Sequence, residues 1–177
     1  IKMHVTMNGD PEKDTISKLK TLGKLHGQIL DTCMGLGYTA IAAARQPDVQ
    51  GVTVCEADAN MFALCRENPW SAGLFENPAI HPVLKPVQEH VPDIPDESVN
   101  AVIHDPPRFA LAPALYSEQF YRQLFRILTA KGRMYHYTGD PNRRTRRSSL
   151  PQKTMSLLKK VGFRKVREAY FGVIAFT

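Results

Sequence analysis

The feature that most constrains this chain is a regular alternation of short apolar runs with helical stretches along nearly its whole length. Gln28-Ile29-Leu30-Asp31 and Val52-Thr53-Val54-Cys55 have the length and apolarity of buried strands. Each is followed by a helical segment, alanine-rich Thr39 to Arg45 and then Asn60 to Arg66, which ends near Asn68-Pro69. Two such units in succession imply a parallel sheet, because a strand that runs back beside its predecessor needs a crossover to get there. The pattern continues through strands at Ile80 to Leu84, Val99 to His104 and Arg133 to Thr138. One further helix carries Phe120, Leu124, Phe125 and Leu128, and another carries Met155, Leu158 and Val161. Phe163 to Arg167 and Tyr170 to Phe176 are too close together for a crossover, so they pair as an antiparallel hairpin. At the other end, Ile16, Leu19 and Leu22 mark a short amphipathic helix closed by Gly23 and Gly27. The predicted fold is α/β: a doubly wound, mostly parallel sheet over residues 28–177 with a C-terminal antiparallel hairpin, preceded by a helical lead-in at residues 1–27.

Size and composition remove other classes. A chain of 177 residues has the length of one ordinary domain. Its 43% hydrophobic content excludes a disordered polymer, and no apolar run approaches the roughly 18 residues of a membrane helix, so no membrane partner is expected. No secretory pattern opens the sequence, and Cys33, Cys55 and Cys65 are odd in number with no CxxC pair. These features predict a reducing cytoplasm and argue against a disulfide scaffold or a zinc ribbon. The first residue is Ile1 rather than Met, which leaves room for an additional N-terminal domain outside this chain.

Charge is distributed unevenly. The net charge is +6, yet residues 1–105 hold 8 Lys and Arg against 14 Asp and Glu, whereas residues 106–177 hold 15 against 3. The two parts therefore carry −6 and +12. A basic excess confined to one part of the chain points to a polyanionic partner. Its sharpest element is Arg143, Arg144, Arg146 and Arg147, between the turn-forming Gly139-Asp140-Pro141-Asn142 and Ser148-Ser149. Four arginines in five residues resemble a phosphate-binding arm, and the expected partner is RNA.

In a doubly wound sheet, ligands bind beyond the carboxyl ends of the strands at the point where strand order reverses. The residues there carry chemistry. Gly35-Leu36-Gly37-Tyr38-Thr39-Ala40 fits a G-x-G-x-x-A turn between strand and helix, where glycine lets the backbone turn sharply and approach a ligand. Glu56, 19 residues beyond Gly37, ends the second strand, where a carboxylate accepts from both hydroxyls of a ribose. Together they predict an adenosine-containing cofactor. Asp31 separates strand from glycines, so the site would repel a pyrophosphate and suit an amino-acid ammonium.

Leu30-Asp31-Thr32-Cys33-Met34-Gly35-Leu36-Gly37 resembles the first motif of the class I S-adenosylmethionine-dependent methyltransferases, with Cys33 where that family has its first glycine. The resemblance runs on through Glu56 to the terminal hairpin. It implies a cofactor site of Asp31, Cys33, Gly35, Gly37, Tyr38, Glu56, Ala57 and Asp105, with S-adenosylhomocysteine as product. Pro86 replaces the acidic residue that often contacts adenine, and Val87 or Gln88 is expected to serve instead. His104-Asp105-Pro106-Pro107-Arg108-Phe109 is similar to the (D/N/S)-P-P-(Y/F/W) motif of methyltransferases acting on amino nitrogens, and closest to a predicted archaeal group with an HDPPRF-like motif. That likeness implies that Asp105 and the carbonyl of Pro106, rigidified by Pro107, hold the acceptor amine. Arg108 stands at the aromatic position, and Phe109 or Tyr116 is expected to offer the stacking face. The expected activity is methyl transfer to an amino nitrogen of an RNA base, such as in tRNA. The alternatives are a spermidine synthase-like aminopropyltransferase and a non-catalytic nucleic-acid-binding module with a degenerate pocket.

Other residues have plainer readings. Cys33 and Cys55 are expected to pack at strand ends, with no metal, and His104 and His136 to be packed histidines with a polar partner each. Trp70 is expected to cap the second helix against the body, with a wall of the adenosine pocket as its other reading.

Overall fold

A computed structural model describes residues 10–139 and 150–177. Seven strands form one sheet: β1 (Gly27–Asp31), β2 (Val49–Glu56), β3 (Ile80–Leu84), β4 (Val99–His104), β5 (Leu128–Tyr137), β6 (Arg164–Ala169) and β7 (Gly172–Phe176), in the order β3-β2-β1-β4-β5-β7-β6. β1 to β5 run parallel, and β7 lies antiparallel between β5 and β6. The chain builds outward from β1 to β3 and then crosses back to β4. The strand order therefore reverses between β1 and β4, where Asp31 is level with Ile103.

Helices cover both faces. α1 (Pro11–Leu22), α2 (Tyr38–Ala44), α3 (Ala59–Glu67) and α4 (Gly73–Glu76) lie on one side, and α5 (Val87–His90), α6 (Glu118–Ile127) and α7 (Leu150–Val161) on the other. The strand period of two assigns the side chains: Ile29, Ile103 and Tyr135 join the first core, while their neighbours Leu30, Val102 and Met134 join the second. α6 is fixed by Ser117, whose Oγ accepts from Phe120 N at 3.1 Å, and it buries Phe120, Tyr121, Leu124 and Ile127 along one stripe. Leu128, expected to continue that helix, instead opens β5 in extended conformation, opposite Val99. α4 and α5 are single turns too short to leave a periodic signal.

α1 presents a different face from the expected one. Leu19 and Leu22 are buried, but Ile16 is 42% exposed, and the inward stripe is completed by Asp14, Thr15 and Lys18. Trp70 also departs from expectation: it sits in a 3-10 turn with 80% of its surface exposed, so it does not cap α3 against the body. No described helix is long and apolar enough to cross a membrane.

Candidate functional site

The site lies at the carboxyl ends of β1, β2 and β4. Beyond β1 the loop is stitched to both neighbouring strands: Thr32 N donates to Ile103 O at 3.0 Å and Met34 N to Cys55 O at 2.8 Å. Gly35 and Gly37 adopt left-handed conformations, with φ of 51° and 78°. A Cβ on Gly37 would come within 2.2 Å of Leu74 Cδ1, so this position closes the loop against α4. A Cβ on Gly35 would meet nothing within 4 Å, so this position faces open space. Cys65 Sγ donates to Gly35 O at 3.1 Å and Ser71 Oγ to Leu36 O at 2.8 Å, which holds the loop from outside. Tyr38, half-buried at the start of α2, receives a 3.4 Å contact from Asn68 Nδ2 on its hydroxyl.

Asp31 is fully buried. Its Oδ2 accepts from Thr39 Oγ1 at 2.5 Å and its Oδ1 from Cys33 N at 3.4 Å. Burial dominates its titration and pushes the carboxyl up to about 7, against the two hydrogen bonds that favour the charged form. Glu56 ends β2 with Oε1 accepting from Ala57 N and Asp58 N, at 2.9 and 3.0 Å, while Oε2 takes a longer 3.3 Å bond from Gly35 N. Beyond β3, Val87 is buried at the start of α5 and Gln88 is exposed.

The loop after β4 brings Asp105 to the same edge, near enough to Asp31 for its charge to oppose ionisation there. Pro106 is buried, while Pro107, Arg108 and Phe109 are exposed. Tyr116 OH donates to Pro107 O at 2.9 Å, and its ring meets Phe109 edge-on at 5.4 Å. The carbonyl of Pro107 is thus engaged within the protein.

A set of buried polar groups that the sequence reading missed supports this loop. Lys18 Nζ lies 2.6 Å from Asp105 Oδ2 and 2.8 Å from Asp14 Oδ2, and 4.9 Å from the centre of the Tyr137 ring. Tyr170 OH donates to Asp14 Oδ1 at 3.1 Å. The Asp14 and Lys18 spacing was visible as an i,i+4 pair, a pattern that usually marks a solvated helix surface. Only the fold shows that it points inward.

His104 is buried, with Nε2 2.9 Å from Leu115 O and Nδ1 2.7 Å from Thr32 Oγ1. A carbonyl only accepts, so Nε2 carries the proton and Nδ1 accepts from the threonine. Burial lowers the imidazole to about 4, so it stays neutral, and the same cause holds His136 well below its ordinary value. His136 Nε2 is 2.9 Å from Tyr121 OH. Both histidines are buried; His104 ties the glycine loop to the loop after β4, whereas His136 ties β5 to α6. Burial likewise pushes the Cys55 thiol up to about 12 and raises that of Cys33, so neither supplies a thiolate. Arg143, Arg144, Arg146 and Arg147 lie outside the described residues.

No family model matches the sequence. The chain is 42% identical, over 178 aligned positions, to the protein MJ1233 of Methanocaldococcus jannaschii, covering 99% of this chain and 61% of that one. It is 28% identical over 131 residues to polyamine aminopropyltransferase 2 of Streptomyces coelicolor, covering 71% of this chain and 24% of that one. The chain thus spans less than two thirds of either relative. Among solved structures, a SAM-dependent methyltransferase from Aquifex aeolicus superposes with a TM-score of 0.66 at 18% identity, over 94% of this chain and 92% of that one. Spermidine synthase from Thermotoga maritima gives 0.68 at 18%, over 88% and 54%. TYW2 of M. jannaschii, solved in complex with AdoMet, gives 0.59 at 14%, over 97% and 77%. With its strand order, reversed β7 and cluster of polar residues at the switch point, the chain has the class I fold of S-adenosylmethionine-dependent methyltransferases, a fold it also shares with spermidine synthase.

Proposed function

We propose that the chain transfers a methyl group from S-adenosylmethionine to an amino nitrogen, and that the acceptor is an RNA base such as one in tRNA. The observation that carries this reading is the convergence of Asp31, Gly35, Glu56 and Asp105 on one edge of the sheet. The residues fit the cofactor. Asp31 is a buried carboxylate whose nearest charges oppose its ionisation more than they help it, and an amino-acid ammonium supplies the missing cation. Gly35 leaves room for close approach, and Glu56 keeps one oxygen on a long bond that a ribose hydroxyl would replace. The backbone at Val87 or the amide of Gln88 would meet the adenine edge in place of the acid that Pro86 displaces.

When bound, S-adenosylmethionine supplies a methyl group on a sulfonium, whose S–C bond breaks as the N–C bond forms, leaving S-adenosylhomocysteine. The chain's own part is positioning. Asp105 and the carbonyl of Pro106 accept hydrogen bonds from the acceptor NH₂ and aim its lone pair, since Tyr116 already holds the carbonyl of Pro107. Phe109 offers a half-exposed ring for a base to stack on, and Arg108 a cation for its phosphate. The proton lost from nitrogen passes to the Asp105 carboxylate and on to solvent. Incubation with methyl-labelled cofactor and separate RNA, protein and small-molecule fractions tests the reading. Label in RNA supports it, and label confined to another fraction overturns the acceptor assignment. Glu56→Ala is expected to weaken S-adenosylhomocysteine binding by about 1–3 kcal/mol, measured by calorimetry, and unchanged affinity would remove Glu56 from the site.

The charge split, −6 over residues 1–105 and +12 over residues 106–177, supports an RNA acceptor. Lys153, Lys159, Arg164, Lys165 and Arg167 are all exposed on α7 and β6. We assign phosphate contacts to Arg143, Arg144, Arg146 and Arg147 as well. Replacing those four by alanine is expected to flatten the slope of log affinity for RNA against log salt by about 3, with cofactor affinity unchanged. An unaltered slope counts against the arm.

A second reading, aminopropyl transfer to a polyamine, is favoured by the 28% identity to the Streptomyces enzyme and by the likeness to spermidine synthase. It is disfavoured by the basic charge of residues 106–177, which repels a polycation. A binding module without catalysis is the remaining reading. Retention of labelled S-adenosylmethionine separates it from both enzymes.

A further inference from the structure

The buried ammonium of Lys18 is the one strong feature of the site that methyl transfer as described above leaves unused. Its side chain is 8% exposed, that of Asp14 is 6% exposed, and that of Asp105 is 25% exposed. The three form a graded row from the interior to the mouth of the site. Two carboxylates and the face of Tyr137 surround the ammonium, which is how a protein builds a receptor for an alkylammonium ion. Here the receptor is filled from within, by a helix that approaches Asp105 across 87 residues of sequence.

We propose that Lys18 is a positioning and specificity residue: an internal ammonium that orients the Asp105 carboxylate and, by already occupying the cation site beside it, restricts the acceptor to neutral amino groups and excludes alkylammonium substrates. The inference rests on the reading of Asp105 as the acceptor carboxylate. The two carboxylates hold Lys18 firmly in its charged form, since together they outweigh the burial that opposes it. A charged ammonium has no lone pair, so Lys18 does not itself compete as a methyl acceptor. Its bond to Oδ2 fixes the Asp105 plane, and the remaining oxygen is the one presented to substrate. A second cation arriving at Asp105 would face the first across one carboxylate, with like charges close together in a partly dehydrated site. An exocyclic amine on a base ring carries no charge and meets no such opposition.

Lys18→Ala turns the filled receptor into an empty one, and a small alkylammonium ion should then take the place of the missing side chain. Binding of n-propylammonium and of putrescine is measured by calorimetry, with and without S-adenosylhomocysteine, on the wild type, Lys18→Ala and Lys18→Arg. Removing one partner from a buried ion pair leaves uncompensated charge, so Lys18→Ala is expected to bind both amines at least about tenfold more tightly than the wild type. Its melting temperature is expected to rise with added propylammonium, and that of the wild type to stay constant. Lys18→Arg keeps the charge and is expected to exclude both amines. Equal affinity of wild type and Lys18→Ala for the amines overturns the proposal, as does tight putrescine binding by the wild type. If Lys18→Ala folds neither with nor without amine, the Asp14→Asn, Lys18→Met double variant, which removes charge of both signs, is compared instead. It is expected to bind putrescine more tightly than the wild type through Asp105, and no gain overturns the proposal. A failure of every form to bind S-adenosylhomocysteine would sink the cofactor reading, while the amine comparison would still report on Lys18.

Discussion

Asp105→Ala is expected to lower methyl transfer by about 10² to 10³ while leaving affinity for S-adenosylhomocysteine within about twofold of the wild type. The separation follows from where the carboxylate points. Cofactor recognition is assigned to the ends of β1 and β2, through Asp31 and Glu56, whereas Asp105 follows β4 and bonds Lys18 rather than the glycine loop. The loss should also be one of chemistry rather than of folding. Asp14 remains 2.8 Å from the ammonium, so removing Asp105 does not strand Lys18 without a counter-ion. Asp105→Asn probes the role further, because an amide keeps an acceptor oxygen but carries no charge and takes up no proton. It should retain more acceptor binding than the alanine variant and little more turnover. Single-turnover measurement with labelled cofactor, using whichever fraction accepts label, supplies the rate, and calorimetry supplies the affinity. Activity surviving within a few fold in Asp105→Ala would remove Asp105 from the acceptor site.

The parts of this protein that were legible in sequence are those whose physics is local. β1 to β4 announce themselves as short apolar runs because both faces of a parallel sheet are covered, and the glycine loop is readable because a sharp turn between strand and helix demands particular residues. Asp31, Glu56 and Asp105 follow from being the polar residues at those strand ends. The expected face of α1 failed for a definite reason. Periodicity assigns burial by hydrophobicity and so points Ile16 inward, whereas the fold leaves Ile16 exposed and buries Lys18 between two acids whose charges it offsets. Its distant partner Asp105 comes from the loop after β4, and Asp14 in turn takes a bond from Tyr170 at a separation of 156 residues. No local pattern encodes such a contact. Trp70 failed in the opposite sense, since a large aromatic is on average buried, yet this one stands on an exposed turn beside α3. Leu128 shows a third limit: an apolar residue at helical spacing from Leu124 is buried equally well at the head of a strand, so burial alone did not locate the end of α6.

The pH dependence of stability should differ between the wild type and Asp31→Asn, and the sign of the difference identifies the buried carboxylate. Asp31 moves from an ordinary value of 3.8 up to about 7 in the folded chain because burial opposes its charge. Below about pH 4 it is protonated whether the chain is folded or not, and above about pH 7 it is charged in both states. Between these limits the folded chain holds a proton that the unfolded chain has released, so this group makes folding less favourable as pH rises, by up to about 1.4 kcal/mol per pH unit. His104 works the other way. Its imidazole falls from 6.5 to about 4, so the unfolded chain binds the extra proton and stability rises with pH over the same range. His136, also depressed by burial, adds to that rise. The wild-type profile is therefore a contest between one acid and two bases. Asp31→Asn removes the acid and leaves the bases, so its stability should climb more steeply than the wild type's between about pH 4 and 7, as followed by denaturant melts. S-adenosylhomocysteine brings an ammonium to the same carboxylate, and its affinity for the wild type should rise with pH up to about 7 and then level off. In Asp31→Asn that affinity should be weaker and independent of pH over the range. Parallel stability profiles for the two proteins would show that Asp31 titrates as an ordinary exposed carboxylate, and a pH-independent affinity in the wild type would place the ligand's ammonium elsewhere.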